Sequence, residues 1–154
     1  MRILMVCSGN TCRSPLAAAL LRSRSAAAGL PLAVESAGTV ASAGHPMSLP
    51  MEIILQEQGV DCGHQSRRIS WELLHWADLI LAMTRSHKAI LIATAPSIAD
   101  KVFTLKEYGG DTLYPDIDDP AGTDLPSYRR CAAEIEAGCD RILTKLQTLQ
   151  KTHP

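Results

Sequence analysis

The sequence predicts an α/β fold of three layers, a sandwich in which helices flank a four-stranded parallel sheet. Short apolar runs alternate along the chain with segments of helical periodicity, and this alternation is typical of strand–helix–strand units. One segment, residues 77–83 (ADLILAM), ends in five consecutive apolar residues, as expected of a strand that is buried on both faces. The 154 residues are 46% apolar, enough for one core, and we expect a single domain over residues 1–154.

The first half of the chain predicts two strands and two helices. Residues 2–6 (RILMV) form a short apolar run and are the first strand. Ser14 as a cap, with Pro15 at the first helical position, predicts a helix that Gly29 ends. Residues 33–36 (AVES) are the second strand, and residues 47–58 are predicted as a helix that ends before Gly59.

The second half predicts two more strands and two more helices. The buried segment 77–83 is the third strand, and Thr84 can cap a helix that runs to about Ala93. Residues 101–105 (KVFTL) alternate and form the fourth strand, followed by a loop over residues 109–122 that is rich in Gly, Asp and Pro. Asp124 can cap the last helix. Its apolar positions follow a spacing of three and four and predict one buried stripe: Leu125, Tyr128, Ala132, Ile135, Cys139, Ile142, Leu146 and Leu149.

Composition excludes several classes of partner. The net charge of −1 gives no electrostatic footprint for nucleic acid or for an anionic membrane, so any anion must bind locally. No apolar run approaches the length of a spanning helix, and no signal peptide is evident, so we expect a cytoplasmic protein. Five scattered cysteines predict free thiols rather than disulfides or a zinc site. We expect a monomer without metal or cofactor.

The loop that follows the first strand carries the chemistry. In such a fold ligands bind at the carboxyl ends of the strands, and backbone N–H groups of the loop Ser8-Gly9-Asn10-Thr11-Cys12 can converge there on an anion. Cys7 in this electropositive nest is a candidate nucleophile as thiolate. Arg13 offers a planar fork for two phosphate oxygens, and Ser14 can donate to the thiolate. The sequence therefore predicts a phosphate-binding loop for covalent phosphoryl transfer, although a buried structural cysteine and a surface arginine would give the same short pattern.

A leaving group also needs a general acid from another loop at the same edge. The segment Asp116-Ile117-Asp118-Asp119-Pro120 follows the last strand and is the best candidate. Taken alone, the segment is better explained as a solvated turn, but with Cys7 as the nucleophile we favour the functional interpretation.

These residues resemble the low-molecular-weight protein tyrosine phosphatase superfamily. The resemblance rests on CSGNTCRSP at residues 7–15 and on Asp119-Pro120, with residues 36–39 (SAGT), His64 and residues 77–83 between them. It implies Cys7 as nucleophile, Arg13 as phosphate binder and Asp119 as acid and then base. It also implies that Asn10, Ser14, Ser36 and His64 hold the loop by hydrogen bonds, that phosphorylated proteins are the substrates, and that no metal is required.

Thr11 bears on the substrate. The family's tyrosine phosphatases resemble Cys-x-Gly-Asn-Ile-Cys-Arg-Ser, whereas Thr11 replaces the isoleucine here, and this chain looks like the bacterial protein-arginine phosphatases. In that branch the threonine is tied to phosphoarginine, and the catalytic Asp also contacts the guanidinium.

Residues 36–51 contain no aromatic ring to stack on a phenol. Ala121, where an aromatic usually follows Asp-Pro, removes a pocket wall in either case unless Tyr114 or Tyr128 substitutes. We expect a preference for phosphoarginine, with phosphotyrosine as the alternative and neutral variation at Thr11 as the plain explanation.

Two other classes of protein share parts of this pattern. Thioredoxin-coupled arsenate reductases share a related scaffold but need further cysteines after the third strand, and residues 84–105 contain none. A redox-sensing or oxyanion-binding module is the second. Cys7 and Cys12 flank one turn and could form a protective disulfide, or Cys12 could simply be a packed thiol.

Overall fold

A parallel sheet of four strands lies between two layers of helices in the computed structural model, which describes residues 1–153. The strands are β1 (Arg2–Cys7), β2 (Ala33–Gly38), β3 (Leu79–Ala82) and β4 (Val102–Thr104), in the spatial order β2-β1-β3-β4. Every neighbouring pair is parallel. The predicted three-layer α/β sandwich is therefore confirmed.

The two faces of the sheet bury alternate residues of each strand. Ile3 and Met5 of β1 face a core shared with α1 (Arg13–Ala27), α2 (Leu49–Glu57) and α6 (Leu125–Thr152). Leu4 and Val6 face a second core under α3 (Trp71–Trp76), α4 (Arg85–Thr94) and a 3₁₀ helix (Pro96–Lys101). A short helix, α5 (Leu105–Tyr108), follows β4 directly. This alternation is what a sheet covered on both sides requires.

Most predicted helix ends are confirmed. Thr84 accepts a hydrogen bond from the backbone N–H of His87, and Asp124 accepts one from Ser127, so both cap their helices. Gly29 and Gly59 follow α1 and α2 with φ of 69°, the left-handed conformation that glycine favours. The short helices α3 and α5 and the 3₁₀ helix were not predicted, because four to six residues give too little periodicity to detect.

The predicted start of α1 is wrong by two residues. The helix begins at Arg13 with Cys12 in the cap position, and no side chain caps it. Ser14 lies inside the first turn, where its hydroxyl is bonded to Cys7 and Asn10 instead. The first N–H groups of α1 are therefore left for a ligand.

The buried stripe of α6 is confirmed along its middle. Six of its predicted positions are buried, whereas Leu125 and Leu149 are 38% and 43% exposed. A helix of 28 residues is about 42 Å long, about twice the length of a six-residue strand. Its two ends therefore extend past the sheet.

The register brings the strand ends to one edge. Cys7 pairs with Gly38, and Ala82 pairs with both Val6 and Thr104. The loops that follow β1, β2, β3 and the β4–α5 unit therefore meet at the carboxyl edge of the sheet, where ligands bind in such folds. Among residues 1–153, no helix is long and apolar enough to cross a membrane.

Candidate active site

The thiol of Cys7 lies at the last position of β1 and is buried. Its Sγ is 2.9 Å from the Oγ of Ser14, which lies in the first turn of α1. Ser14 Oγ also accepts a hydrogen bond from Asn10 Nδ2 at 2.8 Å, which leaves its own proton to donate to the sulfur. The geometry thus points a hydroxyl donor at Cys7, where it can stabilise negative charge on the sulfur.

Asn10 holds the loop in place. It is completely buried and has a φ of 55°, a left-handed conformation that asparagine tolerates better than most residues. Its Oδ1 accepts the backbone N–H of Arg67 at 3.0 Å, which fixes the amide orientation. The Nδ2 group then donates to Ser14 and, at 2.9 Å, to Ser36 Oγ. The Nε2 of His64 lies 2.6 Å from the carbonyl oxygen of Asn10, to which it can only donate.

The structure therefore brings together the four residues that were predicted to support the loop. Burial lowers the pKa of His64 and so favours its neutral ring, which donates through Nε2 to the carbonyl of Asn10. Arg67 is a further support that the sequence did not reveal. Its guanidinium donates to the carbonyl of Ser36 and to Glu35, and this ties β2 to the segment that follows His64.

Gly38 lets β2 approach the loop. A Cβ atom there would lie 2.3 Å from the carbonyl oxygen of Ser8 and 3.0 Å from the nitrogen of Asn10. These are backbone atoms that cannot rotate away, so only glycine fits. The backbone of Thr39 and Val40 then donates to the carbonyls of Cys7 and Ser8.

Arg13 and Asp119 meet across the site. Arg13 is buried, and its Nη1 donates to the carbonyl of Ile117 at 2.8 Å. Its Nη2 lies 3.8 Å from the carboxylate of Asp119, a side chain that is half exposed. Asp116 is paired with Arg85 instead. Of Asp116 and Asp119, Asp119 is therefore the one that lies against the phosphate-binding loop.

Thr11 and Cys12 lie on the side of the loop that faces α2. The carbonyl of Thr11 accepts the backbone N–H of Ser48 at 2.7 Å, while its side chain is only partly buried. Cys12 is buried in the core with Cys131, and burial raises its pKa to about 12. Both Cys7 and Cys12 are free thiols in this structure. The disulfide stays a prediction.

Comparison with known proteins identifies the family. The model of the low molecular weight phosphotyrosine protein phosphatase family matches residues 2–153. The chain belongs to this family. Among curated relatives, a protein-arginine-phosphatase of Geobacillus stearothermophilus is 43% identical over 97% of this chain and 98% of its own length. A probable low molecular weight protein-tyrosine-phosphatase, EpsP, of Ralstonia solanacearum is 35% identical over 96% and 97%. Among solved structures, the YwlE arginine phosphatase from Geobacillus stearothermophilus superposes with a TM-score of 0.93 at 42% identity, covering 99% of this chain and 97% of that one.

This member of the low-molecular-weight family has a further histidine in its site, His87, which the sequence did not reveal. Its Nε2 is 2.7 Å from Ser8 Oγ, and it is 5% exposed. Burial, with the nearby Arg13 cation as a second cause, lowers the pKa of His87 to about 4. The pattern Thr84-x-x-His87 after the third strand carried the only available signal, since it puts a histidine in the first turn of a helix that starts at the ligand-binding edge.

The aromatic wall expected in the family has no simple replacement here. Tyr128 is buried in the core beneath the site, whereas Tyr114 is 75% exposed on the loop before Asp116. Ala121 donates its backbone N–H to Asp119 and contributes no ring. The approach to Asp119 is lined instead by polar groups of α6, among them Ser127, Arg130 and Glu134.

Proposed function

We propose that this protein is a cysteine-dependent protein phosphatase that works through a phosphocysteine and prefers phosphoarginine. The observation that carries the proposal is the convergence of Cys7, Arg13 and Asp119 on one loop that leads into an uncapped helix N-terminus. These groups supply a nucleophile, a phosphate clamp and an acid within reach of a single phosphoryl group.

In the first step the Cys7 thiolate attacks phosphorus. The S–P bond forms as the bond from phosphorus to the leaving atom breaks, and Asp119 gives its proton to that atom. Arg13 and the N–H groups of the loop stabilise the charge on the equatorial oxygens. The bond from Arg13 to the Ile117 carbonyl keeps the guanidinium plane in place for this task.

In the second step water attacks the phosphocysteine. Asp119, now ionised, takes the proton of the water as the S–P bond breaks, and inorganic phosphate leaves with the thiolate restored. Ser14 donates to the departing sulfur at the 2.9 Å distance already present. Both steps use groups that this chain provides.

The preference for phosphoarginine is supported by charge and by shape. A leaving guanidinium is a cation with several N–H donors, and a half-exposed carboxylate at Asp119 is a matching partner. A phenol has no N–H groups for that contact and stacks best on an aromatic wall, which residues 36–51 lack. Thr11 adds a hydroxyl to the mouth of the loop, and the relative from Geobacillus stearothermophilus is named a protein-arginine-phosphatase.

Phosphotyrosine is the second candidate. The exposed ring of Tyr114 lines a surface depression together with Asp116 and Asp118. Asp118 directly precedes Asp119, the proposed acid. It could stack on a phenol that approaches from that side. The relative from Ralstonia solanacearum is named a probable protein-tyrosine-phosphatase.

Two peptides of identical sequence, one with phosphoarginine and one with phosphotyrosine, test the substrate. We expect a higher kcat/KM on phosphoarginine for the wild-type protein and no turnover of either peptide by Cys7→Ser. An equal or higher value on phosphotyrosine would overturn the preference while leaving the phosphatase mechanism intact. Turnover by Cys7→Ser at the wild-type rate would overturn the mechanism itself.

A further inference from the structure

Three side chains form a hydrogen-bonded chain that ends in the phosphate-binding loop. Thr84, the cap of α4, has its Oγ1 2.9 Å from Nδ1 of His87. The other ring nitrogen of His87, Nε2, is 2.7 Å from Oγ of Ser8. Ser8 is the residue directly after Cys7, so the chain connects the start of α4 to the neighbour of the proposed nucleophile.

Two proton arrangements fit these distances, because each hydroxyl can donate or accept and the neutral ring carries its proton on either nitrogen. The backbone N–H of His87 donates to Thr84 Oγ1 at 3.1 Å, which occupies a lone pair there and leaves the hydroxyl proton of Thr84 free. Within residues 1–153 that proton has one acceptor at bonding distance, Nδ1 of His87. In the arrangement in which the Thr84 proton goes to Nδ1, the ring proton is on Nε2 and is donated to Ser8 Oγ.

This arrangement gives the Ser8 hydroxyl a single remaining role. Its oxygen accepts from His87, and its own proton has no other protein acceptor at bonding distance within the described part of the chain. The charged groups near the His87 ring are Arg13, Asp119 and Asp116, and Arg13 and Asp119 belong to the proposed phosphate site. A neutral ring suits this place, because it adds no second cation against the guanidinium of Arg13.

We propose that His87 is a positioning residue for phosphoryl transfer, protonated on Nε2, which holds Ser8 so that the Ser8 hydroxyl donates to the transferring phosphoryl group. The proposal rests on the function proposed above and adds two residues to it. Ser8 touches the reacting group, whereas His87 acts through Ser8. No covalent bond to Ser8 or His87 is made or broken during the reaction.

A double-mutant cycle tests the connection. We expect Ser8→Ala and His87→Phe each to lower kcat by about tenfold or more, the usual loss for one hydrogen bond to a charged group, with KM little changed. The double variant should be no slower than the slower single variant, since both changes remove the same donor. His87→Gln, whose amide N–H reaches the position of Nε2, and Ser8→Thr, which keeps the hydroxyl, should both recover most of the rate.

The controls separate this role from simple packing. His75→Phe changes an exposed histidine on α3, and circular dichroism melting curves compare the fold of every variant. Losses that multiply in the double variant, or a His87→Gln protein as slow as His87→Phe, would overturn the proposal. Rates are measured on an aryl phosphate as well as on phosphoarginine peptide. A wild-type protein that prefers phosphotyrosine would then refute the substrate proposal without affecting the cycle.

Discussion

At the scale of single residues, Thr11 stands apart from the rest of the loop. Its backbone carbonyl is fixed by Ser48, but its hydroxyl makes no hydrogen bond to any residue among 1–153. The Thr11 hydroxyl also has room on the side of Gly9, because a Cβ atom added to Gly9 would still lie 3.9 Å from it. A change at Thr11 therefore alters the mouth of the site while the bonds that hold the loop stay in place.

This freedom makes Thr11→Ile a clean test of substrate preference. We expect the ratio of kcat/KM on phosphoarginine to that on phosphotyrosine to fall by about tenfold or more, because the larger apolar side chain removes a polar contact worth about 1–2 kcal/mol to a guanidinium and favours a phenol. The two matched peptides give the ratio directly. Thr148→Ile, on the exposed side of α6, is the control. An unchanged ratio would show that Thr11 is a neutral variation.

The same scale shows what the sequence could reveal of the site. Cys7, Arg13 and Ser14 lie within one turn, so their spacing alone predicts a shared ligand. Ser36 and His64 were placed by the family resemblance, since a lone serine or histidine carries no local pattern. His87 was missed because its partner, Ser8, is 79 positions away, and only the folded sheet brings the two together.

At the scale of elements, the ends of strands were harder to predict than their centres. Strand β2 continues to Gly38, two residues past the predicted end, because it pairs with β1 as far as Cys7. Glycine is a poor strand former, so propensity ends the strand early. The misplaced cap at Ser14 has a related cause, since the loop uses that hydroxyl for Cys7 and leaves the helix start uncapped.

The close approach of β2 to the loop gives a second prediction. Gly38→Ala puts a methyl group 2.3 Å from the backbone oxygen of Ser8, so β2 or the loop must move. We expect the free energy of unfolding to fall by about 1–3 kcal/mol, as for other overpacked sites, and kcat to fall because Ser8 and Asn10 shift. Urea denaturation and turnover of an aryl phosphate measure the two effects.

Gly63→Ala is the matched control for this substitution. Gly63 is exposed, and a Cβ there meets nothing closer than a carboxylate oxygen of Asp61 at 3.4 Å, an ordinary contact. We expect its stability and rate to stay close to those of the wild type. If Gly38→Ala behaves in the same way, β2 does not constrain the loop.

At the scale of the whole molecule, the site joins elements from both layers of helices. The phosphate-binding loop opens α1 on one face of the sheet, whereas His87 belongs to α4 on the other. Ile117 donates to the carbonyl of Met83 beyond β3, which anchors the loop that carries Asp119. Loosening this junction should therefore affect global stability as well as turnover. The expectation of a monomer stays a prediction, for light scattering in solution to test.

Acid should lower the free energy of unfolding through His87, which lies where the two layers meet at the site. Folding lowers the pKa of His87 from 6.5 to about 4, because its ring is buried and lies near Arg13. The unfolded chain therefore takes up a proton at His87 between pH 6.5 and pH 4 that the folded protein refuses. Stability from the neutral ring is complete above pH 6.5 and is lost as the pH falls toward 4. Between pH 7 and pH 4.5 this shift corresponds to about 2 kcal/mol.

Comparing the wild type with His87→Phe isolates this contribution, since the carboxylates that titrate in the same range are common to both proteins. Urea denaturation at pH 7 and at pH 4.5 gives the free energy of unfolding of each. We expect the stability of His87→Phe relative to the wild type to rise by about 1–2 kcal/mol between the two pH values, because phenylalanine takes up no proton in either state. The same pair of measurements on His75→Phe serves as the control. A difference between His87→Phe and wild type that does not change with pH would mean that the His87 ring is already accessible to protons in the folded protein, contrary to its burial between Ser8 and Thr84.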